Sequence, residues 1–315
     1  MIPYISIVFP TMRIGGLDVI FSSLEKQTFK DFELVFADNL YEYRKDIVKE
    51  KAKQYPMVKY KHVPPISNKF PTHAYCHTIN SAIVHAAGEV ILFTLDYRYF
   101  PPDCLQKHVD FHQSHADHFG YAPGSKFLVT QKLKQCLPSY GFNDNYDTYM
   151  NDLNNGKLQN YMWSIFENEF DISSDPSSWP ELDRTVVGYD PKVDMPPGVE
   201  VSPMHIFMHA ESVKTKIVLE ANGMNEALDG AHSHQDIEFA HRFRNMFDFH
   251  WIADNTNIGY RITGGHEVVK KLRLIDSIDS QAINIFNRYK NGSKERVNDW
   301  SLLEMNTTNR IKEYQ

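Results

Sequence analysis

The chain has 315 residues, 42% hydrophobic and 23% charged, with a formal net charge of −7, the composition of a globular protein with one large core or two smaller ones. A negative balance without any Lys/Arg block excludes a dedicated nucleic-acid binder. No stretch reaches the roughly 20 apolar residues that span a bilayer. MIPYISIVFP lacks the pattern of a signal peptide, and the scattered Cys76, Cys104 and Cys136 form no CxxC pair, so a cytoplasmic location is expected.

Residues 4–9 (YISIVF) are apolar and stop at Pro10, which predicts a first strand. Leu17, Ile20, Phe21 and Leu24 recur at helical spacing over residues 17–27. Residues 32–37 (FELVFA) predict a second strand ending at Asp38-Asn39, residues 46–54 a helix, and residues 58–63 a short third strand. Residues 78–87 carry Ile79, Ala82, Ile83 and Ala86 on one helical face, with Gly88 as the stop. The apolar run over residues 90–95 is too short for a buried helix and predicts a buried strand. It is broken by Asp96-Tyr97-Arg98 and Pro101-Pro102.

This alternation predicts an α/β fold with a mostly parallel central sheet flanked by helices. Parallel strands put Pro10-Thr11, Asp38-Asn39 and Asp96 on one sheet edge, where a ligand is expected. A carboxylate at that place also serves as an ordinary turn cap. There is no GxGxxG and no GxxxxGK[ST].

Further along, residues 105–115 predict a helix and residues 127–130 a strand. Residues 139–198 are polar, acidic and turn-rich, and are expected to form an insertion that covers or shapes a substrate site. Order returns over residues 204–213. A helix is expected to start near Asp236, since Ile237, Ala240 and Phe243 share a face; a carboxylate there is favoured by the helix dipole and is also a plain N-cap. Residues 251–253 and 259–262 predict edge strands, and residues 271–315 a helical, charged tail.

Three segments in order carry a resemblance: ISIVFPTMR from Ile5 with SLEKQTFKDFELVFADN from Ser23, NSAIVHAAGE from Asn80, and NGMNE from Asn222 with QDIEFAHR from Gln235. The chain resembles the family 2 glycosyltransferases, which have the GT-A fold, over residues 5–242 apart from 139–198. The resemblance implies a nucleotide-sugar-binding half (1–125) and an acceptor-binding half (126–270). It also implies inverting transfer of a sugar from a nucleotide-sugar donor to a glycan or lipid-linked acceptor hydroxyl. This is hexosyltransferase chemistry of the EC 2.4 type, suited to polysaccharide biosynthesis, with at most peripheral membrane contact.

By the same resemblance, Pro10, Thr11, Arg13 and Asn80 line the donor pocket and Asp38 contacts the base. Asp96 stands in the family's DxD segment, holding Mn2+ or Mg2+ on the diphosphate, and Asp236 deprotonates the acceptor. A hard cation stabilises the leaving diphosphate, and a single displacement needs a base on the opposite face of the sugar. The chain departs from the family pattern in having Asp96-Tyr97-Arg98 for DxD, Ile79 where Arg is common, and Gln235 where Glu is usual. Arg98 is therefore a second candidate for the phosphates, since guanidinium binds them bidentately. His232, His234 and His266 have metal-ligating chemistry but no distinctive spacing. Two other readings remain open: a GT-A-like nucleotidyltransferase, and an inactive relative that binds a nucleotide sugar or glycan.

Overall fold

The computed structural model describes residues 2–66, 75–129, 146–164, 190–230, 234–263 and 276–314. Strand β1 (Ile5–Thr11) pairs in parallel with β2 (Phe32–Asp38) and β4 (Val90–Phe93), and β2 pairs in parallel with β3 (Tyr60–Val63). Helices α1 (Leu17–Glu25), α2 (Tyr41–Lys51) and α3 (Tyr75–His85) connect them.

Every residue of β1, β2 and β4 is buried. This is why they read as continuous apolar runs rather than alternating ones. Successive side chains still go to opposite faces. Ile5, Ile7, Phe9, Leu34 and Phe36 pack with Leu17, Ile20 and Phe21 of α1. Val8, Val35 and Ile91 pack with Ile79 and Ile83 of α3. The stop after α3 needs glycine for close approach: a Cβ on Gly88 would lie 2.5 Å from the Ser6 nitrogen.

Past β4 the sheet becomes mixed. Its order is β3-β2-β1-β4-β8-β6-β9-β5, with β5 (Arg98–Tyr99), β6 (Phe119–Val129), β8 (Ser212–Lys214) and β9 (His250–Thr263), while β7 (Glu200–Val201) also pairs with β9. The ladders of β4–β8, β6–β8, β5–β9 and β7–β9 are antiparallel and short. The long β6–β9 ladder is parallel, so most paired residues of the sheet are in parallel register.

The structure corrects several expectations. The two edge strands at 251–253 and 259–262 are one strand, β9, lying between β6 and β5. The polar residues 255–257 hid its continuity: the register jumps from Asp254 to Ile258 opposite Pro123 and Gly124, so the extra residues bulge out. β6 begins at Phe119, well before 127, because Ala122-Pro123-Gly124 reads as a turn. Helix α2 starts at Tyr41 rather than near 46. The order expected over residues 204–213 takes the form of a 3-10 turn, Pro203–His205, and the start of β8.

The described parts of 139–198 are built into the fold. They form α5 (Tyr146–Asn154) and bury Leu153, Leu158, Met162, Trp163, Asp190 and Lys192. Residues 139–145 and 165–189 lie outside the described residues, as do Cys136, Trp179, His232 and His266.

The second half adds α4 (Cys104–Ser114), α6 (Thr215–Glu220), α7 (Gln235–Phe247), α8 (Asp276–Lys290) and α9 (Leu302–Tyr314). In the tail, α8 and α9 are separated by a non-helical stretch, and α9 closes the core: Leu302 is buried beside α3, and Asn306 donates to the carbonyls of Ile83, Val84 and Ala86. Among the described residues no helix is long and apolar enough to cross a membrane.

Candidate active site

Parallel pairing sets Thr11 at the end of β1 beside Asp38 at the end of β2. Asp96 lies three residues past the end of β4. One hydrogen-bonded chain joins the three ends. The buried Asp38 carboxylate accepts from the Leu40 N–H at 2.7 Å and from Arg44 Nη2 at 2.8 Å, and its second oxygen meets Arg44 Nε and His62 Nε2. Burial would raise this carboxyl, but Arg44 and His62 hold it below the usual carboxylate value. Arg44 Nη2 also donates to Thr11 Oγ1 at 3.1 Å, and Arg44 Nη1 to the Arg13 carbonyl at 2.9 Å.

Thr11 Oγ1 donates to Asp96 Oδ2 at 3.1 Å. Arg13 Nε donates to the same oxygen at 3.0 Å, and Arg13 Nη2 pairs with Oδ1. Asp96 is thus held by a two-pronged guanidinium. The side chain of Arg13 stays 23% exposed, so this cation faces the outside of the edge.

The neighbouring residues lock this arrangement. The Arg13 guanidinium lies 4.3 Å from the centroid of the Tyr97 ring. Tyr97 has a φ of 60°, in the left-handed region that costs a side-chain-bearing residue free energy. Its ring is buried, its hydroxyl donates to the Ile14 carbonyl, and a Cβ on Gly16 would sit 1.7 Å from the ring. Only glycine lets the 13–16 loop close over Tyr97.

Arg98 turns inward. It is 1% exposed, crosses over Gly259, where a Cβ would lie 2.0 Å from Nη2, and donates from Nη1 to Ser125 Oγ at 2.8 Å. Its register partner on β9 is Arg261, so both side chains leave the same face of the sheet. Arg261 Nη1 lies 3.1 Å from His209 Nε2. Burial, then the charges of Arg13 and Arg98, push the Arg261 pKa down to about 10, with Asp96 opposing.

Asp236 sits in the first turn of α7, half-buried, and accepts from the Ile237 N–H at 2.9 Å. Burial raises its pKa to about 6; backbone N–H groups oppose this, the charge of Glu211 adds to it and Lys192 relieves it. Behind it lies a buried triad. Lys192 Nζ is 3.0 Å from Asp190 Oδ1 and 3.2 Å from Glu211 Oε1, and donates to the His205 carbonyl at 2.8 Å.

Tyr75, at the start of α3, senses both Asp236 and Arg261, while Arg261 senses Asp96 and Arg13. Tyr75 and Arg261 thus stand electrostatically between the Asp96 edge and Asp236. The other two predicted residues lie deeper. Pro10 is a buried member of β1, opposite Ala37. Asn80 is buried and clasps the 222–226 loop, donating to the Met224 carbonyl at 2.9 Å and accepting from the Met224 N–H at 2.8 Å.

Arg261, Tyr75, Lys192 and Glu211 escaped the sequence reading. The one local signal is Gly259, two residues before Arg261, which makes room for Arg98.

The described residues at this edge do not fit a divalent cation. Both Asp96 oxygens are engaged by Arg13, the second DxD position offers the Tyr97 hydroxyl turned inward, and the third is a cation. Among the described residues no three His, Cys, Asp or Glu side chains cluster as a metal site.

No family model matches the sequence, and no curated protein matches it. Solved structures do. Residues 1–349 of S. aureus TarS in complex with UDP-GlcNAc superpose with a TM-score of 0.56 at 13% identity, covering 98% of this chain and 73% of that one. The mannosyltransferase PcManGT from Pyrobaculum calidifontis, in complex with GDP-Man and Mn2+, gives 0.51 at 12% identity, covering 100% of this chain and 76% of that one. At such identities the likeness establishes the fold: the chain is built on the same α/β frame as these two nucleotide-sugar-bound proteins.

Proposed function

We propose that the chain is an inverting glycosyltransferase that moves a hexose from a nucleotide-sugar donor to a hydroxyl of a glycan or lipid-linked sugar. The observation that carries this reading is a half-buried carboxyl poised near neutrality, Asp236, in a fold whose parallel-strand edge carries the guanidinium-clamped Asp96. The bound state of the two fold relatives, one with UDP-GlcNAc and one with GDP-Man, points the same way.

In this reading the nucleotide lies over the ends of β1 and β2. Thr11 and Arg13 face it, and the Asp38–Arg44 pair holds the floor rigid. The acceptor oxygen attacks the anomeric carbon while the bond from that carbon to the diphosphate oxygen breaks, and the bonding pair leaves on the diphosphate. Asp236 takes the hydroxyl proton, so the sugar is inverted in one displacement. A base whose pKa lies just below neutral is well matched to this task.

The test is Asp236→Asn. Turnover should fall by about 10²- to 10⁴-fold, with donor affinity unchanged within a few-fold. Turnover equal to the parent's would remove Asp236 from the base role.

A further inference from the structure

Resting on the donor reading above, we infer that this site binds the donor's diphosphate through the guanidiniums of Arg13 and Arg261 and takes no divalent cation. Three observations carry it. First, the only carboxylate at the DxD position is spent: Asp96 accepts from Arg13 through both oxygens and from Thr11 through one. A cation would have to break this clamp and then sit against Arg13. Second, the guanidiniums of Arg13, Arg98 and Arg261 gather beside Asp96. Arg13 leans on Asp96, Arg261 senses Arg13, Arg98 and Asp96 together, and Arg98 shares its sheet face. Such a site is built to draw in an anion.

Third, the three cations divide by access. Arg98 is 1% exposed and donates from Nη1 to Ser125 Oγ, so it is closed off from an arriving ligand. Arg13 and Arg261 remain partly exposed, and guanidinium presents paired donors to phosphate oxygens. An arriving diphosphate would compete with Asp96 for Arg13. Asp96 thus keeps the guanidinium oriented for the diphosphate, the opposite of a metal ligand's role.

The two roles separate on one variant. Inorganic pyrophosphate, UDP and GDP would be titrated calorimetrically into the full chain, in EDTA and in Mn2+, with the parent and with Asp96→Asn and Arg261→Gln. The inference expects binding of at least one nucleoside diphosphate, with affinity in EDTA within about threefold of that in Mn2+. It expects Asp96→Asn to bind as well or more tightly, since the competing carboxylate is gone, and Arg261→Gln to bind at least tenfold more weakly.

Binding that appears only with Mn2+ and is abolished by Asp96→Asn would overturn this inference and leave the glycosyltransferase reading standing. Failure of every probe in both media would overturn both. If Arg261→Gln does not fold, as judged by circular dichroism, Asp96→Asn with the metal comparison decides alone.

Discussion

Asp236 shows how one side chain combines helix geometry with chemistry. In the first turn of α7 its charge is favoured by backbone N–H groups, yet burial and Glu211 push its pKa from 3.8 to about 6. The folded protein therefore holds this proton more tightly than the unfolded chain does. The resulting destabilisation is absent below about pH 4 and complete above about pH 6. Asp236→Asn should accordingly unfold at a higher temperature than the parent at pH 7.5, and the gap should close as pH falls toward 4. Melting curves of the two proteins across that range check this; a gap independent of pH would show that the carboxyl is not shifted. Gains in stability on removing a strained functional group are the usual trade-off at active sites.

At the scale of elements, the edge is rigid because loops from three strands bond to one another rather than to solvent. Arg44 of α2 reaches Asp38, Thr11 and the Arg13 carbonyl, so α2 and the ends of β1 and β2 move as a unit. Helix α3 is fixed at both ends by distant chain. Asp229 accepts from the Cys76 and His77 N–H groups at its start, and Asn306 of α9 donates to three carbonyls at its finish. Because Tyr75 begins this helix, these caps help to position it. Asn306→Ala should cost about 1–3 kcal/mol, since buried carbonyls would lose their donor. Urea denaturation measures this, and a loss below about 0.5 kcal/mol would mean that the end of α3 relaxes onto other donors.

Across the whole molecule, the parallel half was legible because fully buried strands leave unbroken apolar runs and each helix between them keeps its period. The edge followed from topology: once the strands are parallel, Thr11, Asp38 and Asp96 must be neighbours, and the hydrogen-bonded chain joins them. The mixed half was less legible. β9 is interrupted by a bulge at 255–257, and β6 hides behind a Pro-Gly pair, so the local pattern points away from long strands that tertiary pairing enforces.

The inward turn of Arg98 was equally invisible in the sequence. It depends on Gly259 and Ser125, which lie far away in the chain and come together only across the β6–β9 ladder. Arg261 emerges the same way, through register with Arg98. Residues 190–192 were expected to belong to a covering insertion, yet Asp190 and Lys192 are buried and ion-paired, where only the fold shows their place.

The central claim is that Asp236 removes a proton during sugar transfer, and its most direct test is a pH–rate profile. Release of nucleoside diphosphate from a panel of nucleotide sugars, UDP-GlcNAc and GDP-Man among them, would be followed between pH 4.5 and 8. Because the base works only when deprotonated, turnover should rise with pH through about 6 and level off above it, and Asp236→Asn should abolish the rise. A profile flat across that window and unaltered by the substitution would contradict the account.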